Sequence, residues 1–330
     1  MEDLHSFVPC HQVGQIQGTK SISKSLQKQT KELVKQFARR VTIPSVEQLE
    51  SRFQTIRLPR VAIPFTSSLQ KKQLACFRVG PAQTKRGIVV TAGMHAREVV
   101  PPDATTQWLQ SFSKPWTTNN TMLVMPLVNP DGRAQLLKNP LWRTNGRQVD
   151  LNRNFPFCFG TVGASHQKGT DTYCGEAAAS EMETQAVMFA LQQFTESVLF
   201  VDLHQHGRCI LTSWGHAPSQ YTNPAQNFTT IKSEIPRQYQ EFMTTQQQAR
   251  IQTIASQLRR VLPQYKIVNA SKLYPASGCS DDYAQSMRRF ANAALTVEFG
   301  TEFWPTSTAQ YRQTVFEVIA VLKCLQTISF

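Results

Sequence analysis

No window of the chain approaches the ~18 to 20 consecutive apolar residues of a membrane span, so a membrane-spanning protein is not expected. The N-terminus, MEDLHSFVPCHQVG, carries an acidic pair where a secretory signal needs basic residues, and no apolar h-region follows it. The expectation is a cytoplasmic protein, or one exported by an unrecognised route. Cysteine is sparse: Cys10, Cys76, Cys158, Cys174, Cys209, Cys279 and Cys324 form no C-x-x-C pair and are too few for a disulfide-dense scaffold. Cys158 and Cys174 bracket a short glycine-bearing loop, which leaves one bridge open against the default of free thiols. Also missing are a basic region with heptads, a paired Cys/His finger and an aromatic RNP-like run, so no specific nucleic-acid partner is expected. Internal repeats are absent too.

What is present suits a soluble, globular protein. Of the 330 residues, 41% are hydrophobic and 17% charged, enough to bury a substantial core. A net charge of +13, from 35 Lys plus Arg against 22 Asp plus Glu, is read first as a solvated basic exterior, with steering toward anionic surfaces or substrates as the alternative. Residues 1–44 are rich in Ser, Gln, Lys and Thr. Within them Ile22, Leu26, Leu33 and Phe37 share one helical face, with Lys24, Lys28, Lys31 and Lys35 largely elsewhere. This basic amphipathic helix is expected to pack on its own domain and to end at Pro44. Residues 45–330 are then expected to form the main domain.

Within that domain strand-like runs fall at 73–79, 87–91, 121–128, 197–203, 208–213 and 293–299, and helical patterns at about 101–113, 176–194, 246–262 and 308–328. Strands alternating with helices predict an α/β fold whose mostly parallel sheet carries helices on its faces. Ligands of such sheets sit outside the carboxyl ends of the strands.

Three predicted strands end in ionisable groups. GIVVTAGMHARE carries His95 and Glu98, VLFVDLHQHG carries His204, and ALTVEFG carries Glu298. Two histidines and a carboxylate are a catalytic zinc set, three protein ligands with a fourth position open for water. His95 and Glu98 stand three apart, so a tight turn aims both at one ion. Taken singly, each is an ordinary polar strand end.

Eight segments in order resemble the zinc carboxypeptidase family of pancreatic-type metallocarboxypeptidases: GMHARE, NPDG at 129–132, LWR at 141–143, VDLNRNF at 149–155, TYCGEAAASEME at 172–183, DLHQHG at 202–207, LYPASGCSDDYA at 273–284 and LTVEFG at 295–300. The resemblance covers about residues 45–328 and implies one α/β domain with a mixed, roughly eight-stranded twisted sheet. It makes His95, Glu98 and His204 the ligands of one Zn2+, and Glu298 the general base that moves a proton from water to the leaving amine. Arg143 would face the carbonyl oxygen as charge develops. Asn152 and Arg153 would grip the C-terminal carboxylate, Arg because its planar fork gives two parallel hydrogen bonds. Tyr274 would close over the bound residue, Asp150 would hold the His95 ring, and Arg97 matches a secondary carboxylate contact.

Asp281 falls where the family places the floor of the pocket for the last side chain. An acid there resembles the B-type enzymes, which release Lys or Arg, and argues against release of Glu. Three features depart from the digestive pattern: Cys279 where a small glycine is usual, a short turn with Trp304 after Glu298, and only about 44 residues before the catalytic domain. With no signal peptide, these resemble a bacterial or intracellular member. That keeps open cell-wall peptides ending in diaminopimelate, whose distal amine could also meet Asp281. The remaining alternative is a catalytically silent module that binds C-termini. Peptide or protein C-termini are thus the expected partners; the sequence leaves the oligomeric state open.

Overall fold

The computed structural model describes residues 43–82, 84–112, 120–216, 245–287 and 293–329. The amphipathic helix expected before Pro44 lies outside them. The first element is helix α1 (Val46–Thr55), whose N-cap Ser45 and Gln48 form a reciprocal capping box. It is followed by β1 (Phe77–Val79), β2 (Arg86–Ala92), α2 (Val100–Gln110), β3 (Thr121–Met125), α3 (Pro130–Gln135), α4 (Met182–Gln192), β4 (Ser197–Gln205), β5 (Cys209–Thr212), α5 (Thr245–Val261), β6 (Lys266–Asn269), α6 (Ser280–Ser286), β7 (Ala293–Phe299) and α7 (Thr308–Thr327). Short 3-10 turns cover Leu151–Arg153 and Ala270–Lys272.

The described strands form one seven-stranded sheet in the order β1-β3-β2-β4-β7-β5-β6. β3, β2, β4 and β7 run parallel, β1 and β5 are antiparallel to their neighbours, and β5 and β6 are parallel to one another. The sheet is mixed, as expected, with seven described strands rather than eight.

Period-two alternation sorts the central strands into two faces. Ile88, Val90, Ala92, Leu199, Val201, Leu203, Leu295, Val297 and Phe299 join one apolar cluster with residues of α1, α2, α5 and α7. Val89, Val198, Phe200 and Ala294 face the other way, into a cluster with α4, Phe155 and Ala284. Further along this second face the residues turn polar: Thr91 on β2, Asp202 and His204 on β4, Thr296 and Glu298 on β7. Parallel pairing aligns them in rows, Thr91 with Asp202, Asp202 with Thr296, and His204 with Glu298. The carboxyl edge of this face is where the chemistry-bearing residues gather.

Helix α2 starts with Pro101 and Pro102 in its first turn, so the segment 95–98 lies in the turn between β2 and α2. The helical pattern at 176–194 yields α4 only from Met182. Ala179 has φ +55°, its N–H donates to the Asn154 carbonyl, and the Glu181 carboxylate takes a 2.7 Å hydrogen bond from Asn145. These tertiary contacts override the helix propensity of the alanine run. Cys158 and Cys174 are separate buried thiols, with Cys174 Sγ 3.7 Å from His166 Nδ1.

Candidate metal centre

After β2 the chain turns sharply at Gly93, whose φ is +71°. A Cβ there would stand 2.8 Å from Pro102 Cγ, so both the backbone angle and the proline of α2 require glycine. The turn closes with the Glu98 N–H on the His95 carbonyl at 3.2 Å. Both side chains then point at His204, which arrives on β4. Glu98 Oε1 is 2.7 Å from His95 Nδ1 and Glu98 Oε2 is 2.9 Å from His204 Nδ1, while the two Nδ1 atoms are 3.2 Å apart. All three residues are buried, and they are the group of donors among the described residues that could hold a metal ion.

Donors bound tetrahedrally at ~2.0 Å stand about 3.3 Å from one another. Separations of 2.7–3.2 Å between three converging donors are therefore close to what zinc needs. Each imidazole also turns its other nitrogen to a carboxylate. His95 Nε2 is 3.2 Å from Asp150 Oδ1, and His204 Nε2 is 3.0 Å from Asp202 Oδ2. The donor set fits a single zinc ion.

The imidazoles and carboxylates of the set shift one another's protonation. Burial alone would lower the His204 pKa, but the carboxylates of Asp202 and Glu98 outweigh it and raise it well above the usual imidazole value. Burial would likewise raise Glu98, yet the imidazoles of His95 and His204 hold it well below the carboxylate range. Asp150, wholly buried, is held down against its own desolvation by Arg143 and Arg153.

Half-buried Glu298 sits beside His204 through the β4–β7 register. Burial and the Glu98 carboxylate push it up to about 8, with His204 and Arg143 pulling the other way. Arg143 is fixed by Asp150, with Nε and Nη2 at 3.0 and 2.9 Å from Oδ2, and by the Asp171 carbonyl. Arg153 is 2% exposed; its Nε donates to the Gly163 carbonyl and its Nη1 to the Asn152 carbonyl. Its Nη2 is buried with no hydrogen-bond partner among the described residues. The guanidinium lies 5.9 Å from the centre of the Tyr274 ring.

Asn152 turns its side-chain oxygen to the Ser280 N–H at 2.8 Å, which joins this turn to α6. Cys279 lies against Arg153, with Sγ 3.7 Å from Nη1, and Gly278 before it has φ +69°. A Cβ on Gly278 would stand 2.3 Å from the Arg153 carbonyl, so the close approach of the two segments depends on glycine. Asp281, in the first turn of α6, is buried and accepts from Thr296 Oγ1 at 3.1 Å. Thr296 is one side-chain repeat behind Glu298 on β7. Its neighbour Asp282 instead receives the backbone N–H groups of Gly215 and His216.

Arg97 ion-pairs with Asp171 Oδ2 at 3.1 Å and stacks 4.5 Å over the Phe303 ring. Trp304 donates to the Pro140 carbonyl at 2.9 Å and packs beside Ala96 and Val99. The short turn after Glu298 thus folds back over the loop that carries two of the metal donors. Sequence reasoning overlooks Asp202, Asp171 and Phe303. Asp202 had a readable signal, since a residue two before His204 on a strand shares its face; Asp171 and Phe303 had none.

Zinc requires a neutral His204, so binding must expel the proton that Asp202 and Glu98 retain there. Zinc affinity should rise about tenfold per pH unit above the ordinary imidazole range of ~6.5 and level off once the pH passes the raised His204 value. Competition against a chelator from pH 6 to 9 measures this, and an affinity independent of pH would contradict the assignment.

The family model described as "Zinc carboxypeptidase" matches residues 57–317. Carboxypeptidase B of Helicoverpa zea is 29% identical over 225 residues, covering 62% of this chain and 49% of the relative. Zinc carboxypeptidase A 1 of Drosophila melanogaster is 30% identical over 246 residues, covering 69% and 51%. The chain spans about half the length of these curated relatives. Among solved structures, bovine thrombin-activatable fibrinolysis inhibitor in complex with tick carboxypeptidase inhibitor superposes with a TM-score of 0.66 at 20% identity, covering 87% of this chain and 97% of that one. Murein-tripeptide amidase MpaA from Escherichia coli O157 superposes at 0.54 with 19% identity, covering 85% and 97%, which shows a shared fold. With the family model matching well over half of its length, the chain belongs to the zinc carboxypeptidase family.

Proposed function

We propose that this chain is a zinc-dependent exopeptidase that releases the C-terminal residue of a peptide, with preference for Lys or Arg. The observation that carries the exopeptidase reading is the buried Arg153 guanidinium with Nη2 left unpartnered. A buried cation lacking a full set of acceptors is costly, and a carboxylate supplies the missing charge and acceptor together. A chain end presents such a carboxylate and an internal peptide bond does not. Tyr274 stands beside the same guanidinium, placed to cover the bound residue.

When bound, zinc supplies the Lewis acid that polarises the scissile carbonyl and makes water acidic enough to lose a proton near neutral pH. Glu298, beside His204, accepts that proton on its carboxylate and hands it to the departing amine. Arg143, held rigid by Asp150, presents fixed positive charge to the carbonyl oxygen as it becomes anionic. A silent binding module has no use for Glu298 in this position, next to the metal donors.

Asp281 supports the basic preference. It lies buried in the first turn of α6, where it accepts from Thr296, the residue one side-chain repeat behind Glu298 on β7, and burial together with neighbouring Asp282 pushes it up to about 7. A cationic side chain reaching this acid would stabilise its ionised form, while an apolar one leaves the polar carboxyl without compensation. The same acid suits the distal amine of diaminopimelate, which makes cell-wall peptides the second reading.

Glu298→Gln should retain zinc at full occupancy, measured by metal analysis, while kcat falls by roughly 10²–10⁴-fold; an unchanged kcat would remove Glu298 from the reaction. Asp281→Ile should exchange preference for Lys- and Arg-ended peptides for apolar-ended ones on a panel that includes a diaminopimelate-ended muropeptide. In the unaltered protein, Asp281 ionises as the pH rises through about 7, so the preference for Lys-ended over Leu-ended peptides should grow between pH 6 and 8. A preference profile unchanged by both substitution and pH would contradict the pocket assignment.

A further inference from the structure

Asp202 has no role in the chemistry described so far. It is fully buried on β4, two residues before His204 and therefore on the same side of the sheet. Thr91 Oγ1, from β2, donates to its Oδ1 at 2.7 Å, and Ser280 Oγ, from the first turn of α6, donates to its Oδ2 at 2.7 Å. Two neutral hydroxyls do not balance a buried carboxylate. The other polar group that faces it is the His204 ring, whose Nε2 is 3.0 Å from Oδ2. That contact is short but not aligned as a hydrogen bond, and Nε2 has no other partner among the described residues.

We infer that Asp202 is a positioning residue for the metal centre, holding the His204 ring with Nδ1 toward the ion, as Asp150 does for His95. The arrangement is nearly symmetrical. In each imidazole Nδ1 faces the common donor Glu98 and Nε2 faces a buried aspartate. A carboxylate on the outer nitrogen selects the tautomer that leaves Nδ1 free to bind a metal and increases its basicity. Asp202 cannot swing away, because Thr91 and Ser280 fasten it from two other elements. Ser280 also gives its N–H to Asn152 Oδ1, next to Arg153. The first residue of α6 therefore braces the metal centre through Asp202 and the carboxylate grip through Asn152.

The inference rests on zinc being the resident metal and not on which residue is released. The test is zinc affinity of the full chain, measured by chelator competition, together with the visible absorption of the cobalt-substituted protein. Asp202→Asn keeps the shape but puts an amide where the ring nitrogen needs an acceptor. Its zinc dissociation constant should rise by 10–100-fold, with Asp150→Asn giving a loss of the same order, and the cobalt band should shift. Thr91→Val and Ser280→Ala each free one side of Asp202 without changing charge and should weaken zinc binding by smaller factors, which decides the matter should Asp202→Asn fail to fold. Zinc binding within threefold of the unaltered protein in all three variants, with a superimposable cobalt spectrum, would overturn the role of Asp202. Failure of the metal reading itself would show in the unaltered protein, as no chelator-sensitive zinc.

Discussion

Parallel pairing of β4 with β2 and β7, in one register, is the constraint on which the site depends. A shift of one residue in any of these strands would turn its polar residues from the α4 and α6 side into the apolar cluster beneath α2 and α7. In the observed register Thr91, Asp202 and Thr296 form one row, and His204 and Glu298 the next. The forward row holds His204, a donor of the metal centre, and Glu298 beside it. The row behind holds the groups that fasten them, since Thr91 binds Asp202 and Thr296 binds Asp281.

Charge balance explains why so many ionisable groups can be buried together. Glu98, Asp150, Asp202, Asp281 and Glu298 lie near Arg143, Arg153 and two imidazoles. Burial and neighbouring carboxylates raise Asp281 and Glu298, and the carboxylates of Asp202 and Glu98 raise His204. A divalent cation among the donors would balance part of that excess of acid. Of the two arginines, Arg153 is the one with a buried nitrogen left unpartnered among the described residues, the place the proposed function gives to a substrate carboxylate.

Much of this was legible in the sequence because burial leaves a strong periodic signal. The runs at 87–91, 197–203 and 293–299 are apolar on both faces until their last residues, so the ionisable groups at their ends stood out and the sheet edge followed. Order and spacing of the conserved-type segments then tied His95, Glu98 and His204 to one ion. The short elements escaped. β6 is four residues at a sheet edge, and α6 shows no apolar period because its face carries Ser280, Asp281 and Asp282. The length of α4 was overestimated because tertiary hydrogen bonds to Asn145 and Asn154 are invisible to local propensity. Asp202 was overlooked for a different reason: its place two residues before His204 puts it on the same strand face, but the partners that fasten it, Thr91 and Ser280, lie 111 and 78 residues away.

The proposed function makes one demand through Arg153 and the metal donors, a free carboxyl group on the substrate next to the bond that breaks. The direct measurement compares two peptides of identical sequence ending in Lys, one with a free carboxylate and one amidated, incubated with the zinc-loaded protein with and without chelator. The account predicts release of free lysine from the carboxylate form alone, abolished by the chelator and restored by added zinc. Equal cleavage of the amidated peptide, or no release from the carboxylate form by zinc-loaded protein, would contradict it.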